Sequence, residues 1–511
     1  MNTEGSANGC QRLFETGPFI ENRREFLNST ASGIGMAALG SLLTEDGLYS
    51  AVRENDDKLP GLDSPMTPQP SHFDGPAKSC IFIFMAGAPS HIDLFDPKPV
   101  LRKRHGQPLP ESMLKDVRFA FIKKGNALLQ GSPYRFARHG ESGLELSELL
   151  PYLGGQADDL LLVRSLHTDQ FNHHPGQLMM QCGRGSFGLP SMGSWLTYGL
   201  GSVSRDLPGY VVLTSGRGSS GGATLWQSGF LPSSYSGVLF RNRGEAVLNL
   251  RNPPGLPAEL QRKGLDALGD ANRQRYREIR DPEIAARIAS FELAYRMQSA
   301  APELIDLAGE SKSTRESYGL DRKEPKNLGG RGKQGDTYQS FARNCLLARR
   351  MVERGVRFVN IVYASWDHHS NIPTELPYNA GCVDQPIAAL IADLKQRGLL
   401  DSTMVVWGSE FGRTPLGENR NGKKEVGTGR DHHPFSFSML MAGGGIKGGS
   451  TYGATDDIGW HSTENRVHVN DLHATMLHQF GLNHLHLTHR FQGRDFRLTD
   501  VGGKVIQDWI T

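Results

Sequence analysis

Short apolar runs recur along the chain, and most of them end in glycine or in polar residues. They are CIFIFMAG (80–87), LLLVRSL (160–166), YVVLT (210–214), VRFVNIVY (356–363), TMVVWGSE (403–410) and SFSMLMAGG (436–444). A continuous apolar run of this length is typical of a strand that is buried on both faces of a parallel sheet. Together the runs predict a large, mostly parallel sheet.

Helical patterns separate several of these runs. CLLARRMVERG (345–355) precedes one predicted strand, and DQPIAALIADLKQRG (384–398) precedes the next. The second pattern starts with Asp and ends with Gly, which are favoured at helix starts and stops. The alternation predicts an α/β fold, with a doubly wound, mostly parallel sheet and helices on both of its faces. We expect this domain to span residues 79–511.

A charged, helix-forming region interrupts the alternation from about residue 257 to 345. It begins ELQRKGLDALGDANRQRYREIRDPEIAARIASFELAYRMQ (259–298). This pattern predicts a helical insertion into the domain. Two interpretations stay open, a set of helices packed on the sheet or a lid over an active site. Residues 46–78 are polar and rich in proline, which predicts a linker before the domain.

The first 45 residues have the organisation of a targeting segment. Two arginines in NRREFL (22–27) precede a weakly apolar run of about fifteen residues, STASGIGMAALGSLL (29–43). That run is too short and too rich in glycine and alanine to span a membrane stably. Residues 1–45 resemble a twin-arginine export signal, which is read by the export machinery. The resemblance predicts an exported protein of the periplasm or cell envelope; the alternative is the start of an amphipathic helix.

Charge and cysteine content exclude several classes of function. The chain has 511 residues with 56 Lys+Arg and 54 Asp+Glu, so its net charge is only +2. No strong positive field points to a nucleic-acid partner. The five cysteines form no CxxC pair, so neither a disulfide framework nor a thiolate zinc site is expected. Buried, apolar cysteines are the simpler interpretation.

Histidine and carboxylate residues gather where the predicted strands end. They are His91 and Asp93, then His173 and His174, then Asp367, His368 and His369, then Glu410, and finally Asp431, His432 and His433 just before the last run. Ligands of open α/β sheets bind beyond the carboxyl ends of the strands. A mixed His/Asp/Glu set suits a divalent metal, zinc first, with manganese or calcium as alternatives. Each pair alone is also compatible with an ordinary hydrogen-bonded turn.

Several of these motifs together resemble one protein family. FMAGAPSHIDLFDPKP, ARNCLLARRMVERGVRFV, SWDHHSN, GSEFGRTP and GRDHHPFSFSMLMAGGGIKGGSTYG closely resemble the exported family catalogued as domain of unknown function 1501, from about Cys80 to the end. That family looks like a branch of the alkaline-phosphatase/sulfatase superfamily, whose members hydrolyse phosphate or sulfate esters with one or two metals. The resemblance implies an alkaline-phosphatase-like fold and a metal-dependent hydrolase of small-molecule or polysaccharide esters. The alternative is a non-catalytic, anion-binding or envelope-associated protein on the same fold.

The resemblance also implies roles for individual residues. Metal ligands would be Asp367, His369, Glu410 and His432, with His91 or Asp93 contributing from the first loop. His173 takes the place of the superfamily's nucleophile, where no Ser, Thr or Cys stands. Asn172, His174 and Arg413 would contact the substrate anion. Three interpretations of His173 stay open: direct attack, metal ligation with a metal-bound hydroxide as the attacking group, or a site that binds an anion without turnover.

Overall fold

The computed structural model describes residues 65–110, 113, 119–241, 244–248, 250–330, 333–419 and 426–511. The predicted export signal, residues 1–45, and the predicted linker up to residue 64 lie outside these ranges. Export therefore stays a prediction from the sequence. Residues 65–78 are mostly exposed and contain no helix or strand.

One large sheet organises the chain. Its strands, in chain order, are β1 (Ser79–Phe84), β2 (Leu161–His167), β3 (Tyr210–Gly216), β4 (Val238–Phe240), β5 (Phe358–Ala364), β6 (Thr403–Gly408), β7 (Phe437–Ala442), β8 (Ser450–Tyr452) and β9 (Val467–His468). In space the order is β8-β2-β7-β6-β1-β5-β3-β4, and β9 also pairs with β2. Each of the six apolar runs in the sequence overlaps one of these strands, so the pattern predicted them correctly.

The sheet is parallel except at one strand. β1 pairs in parallel with β5 and β6, and β3 pairs in parallel with β4 and β5, whereas β7 is antiparallel to both β2 and β6. The residues just before β7 therefore lie at the same edge as the residues just after its neighbours. This explains why His432 precedes its strand in the sequence while the other candidate residues follow theirs.

The α-helices of the described residues are α1 (His91–Leu94), α2 (Pro99–Lys103), α3 (Pro151–Gly154), α4 (His173–Cys182), α5 (Met192–Leu200), α6 (Ala258–Ile279), α7 (Pro282–Ile305), α8 (Lys312–Tyr318), α9 (Thr337–Glu353), α10 (Ile372–Gln396) and α11 (Val469–Gln479). Helices α9 and α10 cover one face of the sheet, and helices α4, α5 and α11 cover the other. Successive side chains of a strand point to opposite faces. Accordingly Ile81 and Ile83 pack with α9 and α10, whereas Phe82 and Phe84 pack with α4, α5 and α11. The predicted doubly wound α/β fold is confirmed.

The described residues divide into two compact units, a larger one of residues 65–250 with 293–511 and a smaller one that contains residues 251–292. The larger unit holds the sheet and all candidate site residues. In the smaller unit the structure describes α6 and the first part of α7, where Arg262 forms ion pairs with Asp266 and Glu292. Both helices fall within the predicted insertion. Among the described helices none has the length and apolar character needed to cross a membrane.

The described cysteines Cys80, Cys182, Cys345 and Cys382 are buried and unpaired, as the sequence predicted. Burial in apolar surroundings raises the pKa of the Cys182 thiol to about 12. These thiols are therefore packing groups at neutral pH.

Candidate metal centre

Three histidines and one aspartate converge at the edge of the sheet where the parallel strands end. The Oδ1 atom of Asp367 lies 2.7 Å from His369 Nε2, 3.1 Å from His173 Nε2 and 3.4 Å from His432 Nε2. The Nε2 atoms of His369 and His432 are 3.1 Å apart. Asp367 and His369 follow β5, His173 follows β2 and His432 precedes the antiparallel β7. We call these four residues the His3Asp cluster.

The other ring nitrogen of each histidine has a partner that fixes the ring. His173 Nδ1 lies 2.8 Å from Glu410 Oε1, and His432 Nδ1 lies 2.8 Å from the carbonyl oxygen of Phe171. His369 Nδ1 contacts the Glu418 carboxylate. A carbonyl or carboxylate oxygen only accepts, so each Nδ1 carries the proton and each neutral ring offers its Nε2 lone pair to the cluster.

This arrangement fits a divalent cation. The Nε2 lone pairs of His369 and His432 face one another and a carboxylate oxygen, so a positive charge is needed between them. His173 Nε2 is buried beside Asp367 without a hydrogen bond, although it is only 3.1 Å away. All four ligand atoms lie within 4.8 Å of one another. Three imidazoles and a carboxylate form a donor set that zinc accepts readily.

Without a metal, a proton takes the place of the cation. Burial lowers the pKa of His173, but the carboxylates of Asp367 and Glu410 outweigh it and raise that pKa to about 9. Burial instead lowers the pKa of His432 to about 4, despite its contact with Asp367. Without a metal, His173 therefore carries the additional proton at neutral pH, whereas His432 stays neutral and its Nε2 lone pair remains available to a metal.

Arg413 anchors Asp367 and is not placed to clamp an anion. Its side chain is 1% exposed. Its guanidinium donates to the carbonyl oxygens of Gly87, Ala88 and Arg430 and, at 2.8 Å, to Asp367 Oδ1. Burial alone would raise the pKa of Asp367, but Arg413 and the three histidines hold it well below its usual range. These contacts engage four of its five N–H donors, so the geometry does not favour the predicted contact between Arg413 and an anion.

Glu410 supports His173 instead of joining the metal ligands. Its Oε1 accepts from the Gly87 backbone N–H at 2.8 Å and from Gln177 Nε2 at 3.1 Å, besides its contact with His173. Its Oε2 accepts from Ser409 Oγ at 2.7 Å. Burial would raise the pKa of Glu410, but His173 and Ser409 lower it, so it stays ionised. These hydrogen bonds place the Glu410 carboxylate behind His173 rather than among the atoms of the His3Asp cluster, which does not favour its predicted role as a metal ligand.

His91 and Asp93, predicted as ligands from the first loop, have other partners. Asp93 forms a bidentate ion pair with Arg430, in which Nε donates to Oδ2 at 2.7 Å and Nη2 donates to Oδ1 at 3.1 Å. Both side chains are 0% exposed. His91 is buried, its Nε2 lies 3.4 Å from Ser436 Oγ, and burial lowers its pKa to about 4. Neither belongs to a metal-competent group among the described residues. The sequence placed them on the correct loop but could not show that Asp93 pairs with a distant arginine.

One histidine of each HH pair faces the cluster and the other packs elsewhere. His174 Nε2 lies 3.3 Å from Thr224 Oγ1, and its ring packs against Phe187. His368 contacts Asn379 Nδ2 at 2.9 Å, and His433 contacts the carbonyl oxygen of Trp460 at 2.5 Å. Asn172, which was also predicted to contact the anion, precedes α4 and has an exposed side chain. His174 and Asn172 are therefore not part of the His3Asp cluster.

Two residues of the site were not predicted from the sequence. Glu418 is buried behind His369, and the Phe121 ring packs edge-on against His369 at 4.7 Å while 47% exposed. Asp431 positions Phe121 by accepting from its backbone N–H at 2.8 Å. Glu418 lies in no histidine motif, and Phe121 lies in the short apolar stretch FAFI (119–122), which contains no histidine or carboxylate, so neither Glu418 nor Phe121 was singled out. Only the long-range packing of these loops brings them to the cluster.

The loops around Asp367 approach one another very closely. Gly87 has a φ of +110°, and a Cβ atom there would lie 2.7 Å from the backbone nitrogen of Asp367. Ala88 and Ser365, next to this contact, have positive φ values of 64° and 144°. Non-glycine residues in this region are strained and are concentrated at functional sites. The close approach explains why glycine stands at position 87, three residues after the end of β1.

Glu418 offers a test of the support behind the ligands. We expect Glu418→Gln to weaken zinc affinity by about 10–100-fold, since the amide polarises the His369 ring less than a carboxylate does. Competition with a chromophoric chelator measures the affinity. Glu145→Gln, a change at a carboxylate on a separate hairpin, serves as the control and should leave it unchanged. Equal affinities for Glu418→Gln and the native chain would contradict the assigned role.

Several solved structures match this chain at low sequence identity. A sulfatase from Pseudoalteromonas sp. matches at 12% identity and a TM-score of 0.33, covering 80% of this chain and 68% of that one. The alkaline phosphatase from the Antarctic bacterium TAB5 matches at 10% identity and a TM-score of 0.28, covering 74% of this chain and 95% of that one. The lipoteichoic acid synthase LtaP from Listeria monocytogenes matches at 9% identity and a TM-score of 0.32, covering 82% of this chain and 77% of that one.

The search of curated proteins gives no match. The profile of the family described as "Protein of unknown function (DUF1501)" matches residues 77–510, which is nearly the whole domain. This agrees with the family that the sequence motifs indicated. The chain belongs to the DUF1501 family.

Proposed function

We propose that this protein is a metal-dependent hydrolase of phosphate or sulfate esters. The observation that supports it most is the convergence of three imidazole Nε2 atoms on Asp367 Oδ1, with every Nδ1 held by an acceptor. Such a set of donors is characteristic of a cation site with an oriented outer shell. When bound, a divalent cation would supply Lewis-acid polarisation of the ester and activation of water.

The chain's own residues would hold and orient this chemistry. Arg413 keeps Asp367 ionised and fixes its position, and Glu410 keeps the His173 Nδ1 proton in place. With Nδ1 committed to Glu410, His173 is oriented with Nε2 toward Asp367 and His432. Of the three interpretations of His173, this geometry favours the ligand over the direct nucleophile.

An open cleft of about 480 Å³ gives access to the cluster. His173, Gln177 and Asp367 line it together with Gly87 and the residues that follow β3. On another side, the exposed ring of Phe121 lies beside His369. A charged group in the cleft would lie next to the two cluster residues that are only partly buried, His173 and Asp367. This access favours a substrate with a terminal anionic ester.

The same geometry permits a second function, a protein that binds an anion without hydrolysing it. The observation in its favour is that the nucleophile position holds His173, whose Nδ1 is tied to a buried carboxylate. Turnover separates the two functions, because both would bind metal and anion. The substrate's remaining part is not specified by either proposal.

The test is an assay of the full chain on aryl phosphate and aryl sulfate with added zinc, manganese or calcium. We expect one of the two esters to be hydrolysed. Removing the metal with a chelator should lower the rate by about 100-fold or more, and adding metal back should restore it. His174→Ala, altered beside the cluster, should keep its rate. Bound metal without turnover of either ester would favour the non-catalytic function, and absence of both metal and turnover would refute the hydrolase.

A further inference from the structure

The cleft beside the His3Asp cluster is bounded on one side by a short loop that follows β3. We call Arg217, Gly218, Ser219 and Ser220 the 217–220 loop; all four line the cleft together with His173 and Asp367. The loop begins where the sheet's parallel strands end, which is where ligands of such sheets bind. Its position makes it the wall that a group bound at His173 and Asp367 would touch.

The loop is held in place by the same network that positions His173. Gln177 is 2% exposed and bridges the two. Its Oε1 accepts from Ser220 Oγ at 3.0 Å and from the Gly221 backbone N–H at 2.9 Å, while its Nε2 donates to Glu410 Oε1 at 3.1 Å. The buried amide therefore fixes the distance between the loop and the cluster.

The loop presents donors that have no acceptor in the described part of the chain. The Arg217 side chain is exposed and makes neither an ion pair nor a hydrogen bond with any described residue. The backbone N–H groups of Ser219 and Ser220 likewise meet no acceptor among those residues. The one carboxylate that lines the cleft, Asp367, is engaged by Arg413 and the histidines.

We propose that Arg217, with the N–H groups of Ser219 and Ser220, binds the non-bridging oxygens of a tetrahedral oxyanion, the phosphate or sulfate group of the substrate. This inference rests on the proposed function and deepens it, because it assigns the anion contact that Arg413 cannot make. A guanidinium matches two oxygens of such a group at once, and successive backbone N–H groups form a concave anion site. The same chemistry recognises free phosphate and free sulfate.

Isothermal titration calorimetry of the zinc-loaded full chain with inorganic sulfate, and separately with inorganic phosphate, tests the site. We expect Arg217→Gln to weaken binding of the preferred anion by roughly tenfold or more, as expected for loss of a charge-assisted hydrogen-bonding partner. Arg217→Lys should weaken anion binding less, since lysine keeps the positive charge but lacks the paired N–H donors of the guanidinium. Arg138→Gln removes an equal charge on the strand Phe136–His139, outside the cleft, and should bind like the native chain.

The outcomes separate this inference from the hydrolase proposal. If Arg217→Gln binds both anions as tightly as the native chain, or if the native chain binds neither, the anion site is refuted. If anion binding depends on Arg217 but neither aryl ester is hydrolysed, the anion site stands and the hydrolase proposal fails. If an ester is hydrolysed, and Arg217→Gln leaves both the KM for that ester and the anion affinity unchanged, the hydrolase proposal stands and the anion site is refuted. The anion that binds more tightly identifies the ester class.

Discussion

Asp367→Asn is expected to weaken zinc binding by more than about 100-fold and to abolish metal-dependent ester hydrolysis. Asp367 Oδ1 is the atom on which His173, His369 and His432 converge. The asparagine side chain has the same shape, and its oxygen can still accept from Arg413. The substitution therefore removes the negative charge that Asp367 would offer a metal, with little change in packing. The resulting loss of zinc affinity should exceed the loss of about 10–100-fold that is typical when a residue behind a ligand is changed.

Chelator competition measures the affinity, and thermal unfolding of the metal-free proteins checks that both chains are folded. His174→Ala is the matched control, because His174 adjoins His173 in α4 but contacts Thr224. The control should bind zinc as the native chain does. If Asp367→Asn retains the native affinity, the metal lies elsewhere. If both variants lose it, the effect does not arise from the cluster.

Asp93→Ala is expected to lower the free energy of unfolding by about 3–5 kcal/mol, because it leaves the charge of a buried arginine without its partner. Arg430 is 0% exposed, and its remaining contacts are the carbonyl oxygens of Gln130 and Thr414. Burial would raise the pKa of Asp93, but Arg430 lowers it, so the pair is ionised at neutral pH. Urea unfolding followed by tryptophan fluorescence measures the change.

Two further variants make this expectation specific. Glu148→Ala breaks the pair with Arg135, whose side chain is 83% exposed, and should cost at most about 1 kcal/mol. The double variant Asp93→Leu with Arg430→Met removes both charges and should recover much of the lost stability, since no unpaired charge remains. A loss of about 1 kcal/mol or less for Asp93→Ala would show that Arg430 finds another partner.

Local pattern was sufficient to predict the sheet and the place of the site. The apolar runs marked the long strands because a strand covered on both faces has few polar positions. The histidine pairs marked the correct edge, since the strand ends of an open sheet meet there. His369 and His432 are the members of their pairs that face the cluster, and the role as metal ligands that the resemblance implied for them stays a prediction.

The failures concern side chains whose partners are far away in the sequence. Arg413 appeared free to bind an anion, but three backbone carbonyls and Asp367 occupy it. Glu410 and Asp93 appeared to be ligands, but they pair with His173 and Arg430. Which cation reaches which carboxylate depends on how the loops pack, and no periodicity encodes it. Arg217, which we propose as the anion contact, was not predicted from the sequence because its loop carries no histidine or carboxylate.

Anomalous diffraction at the zinc absorption edge, from crystals of the full chain grown with zinc, shows directly whether the His3Asp cluster binds metal. We expect a single strong peak within ligand distance, about 2.0–2.2 Å, of Asp367 and of the Nε2 atoms of His173, His369 and His432. Data collected below the edge provide the control, since a zinc peak there should weaken sharply. No peak at the cluster, or a peak elsewhere in the chain with the cluster empty, would show that the cluster is not the metal site.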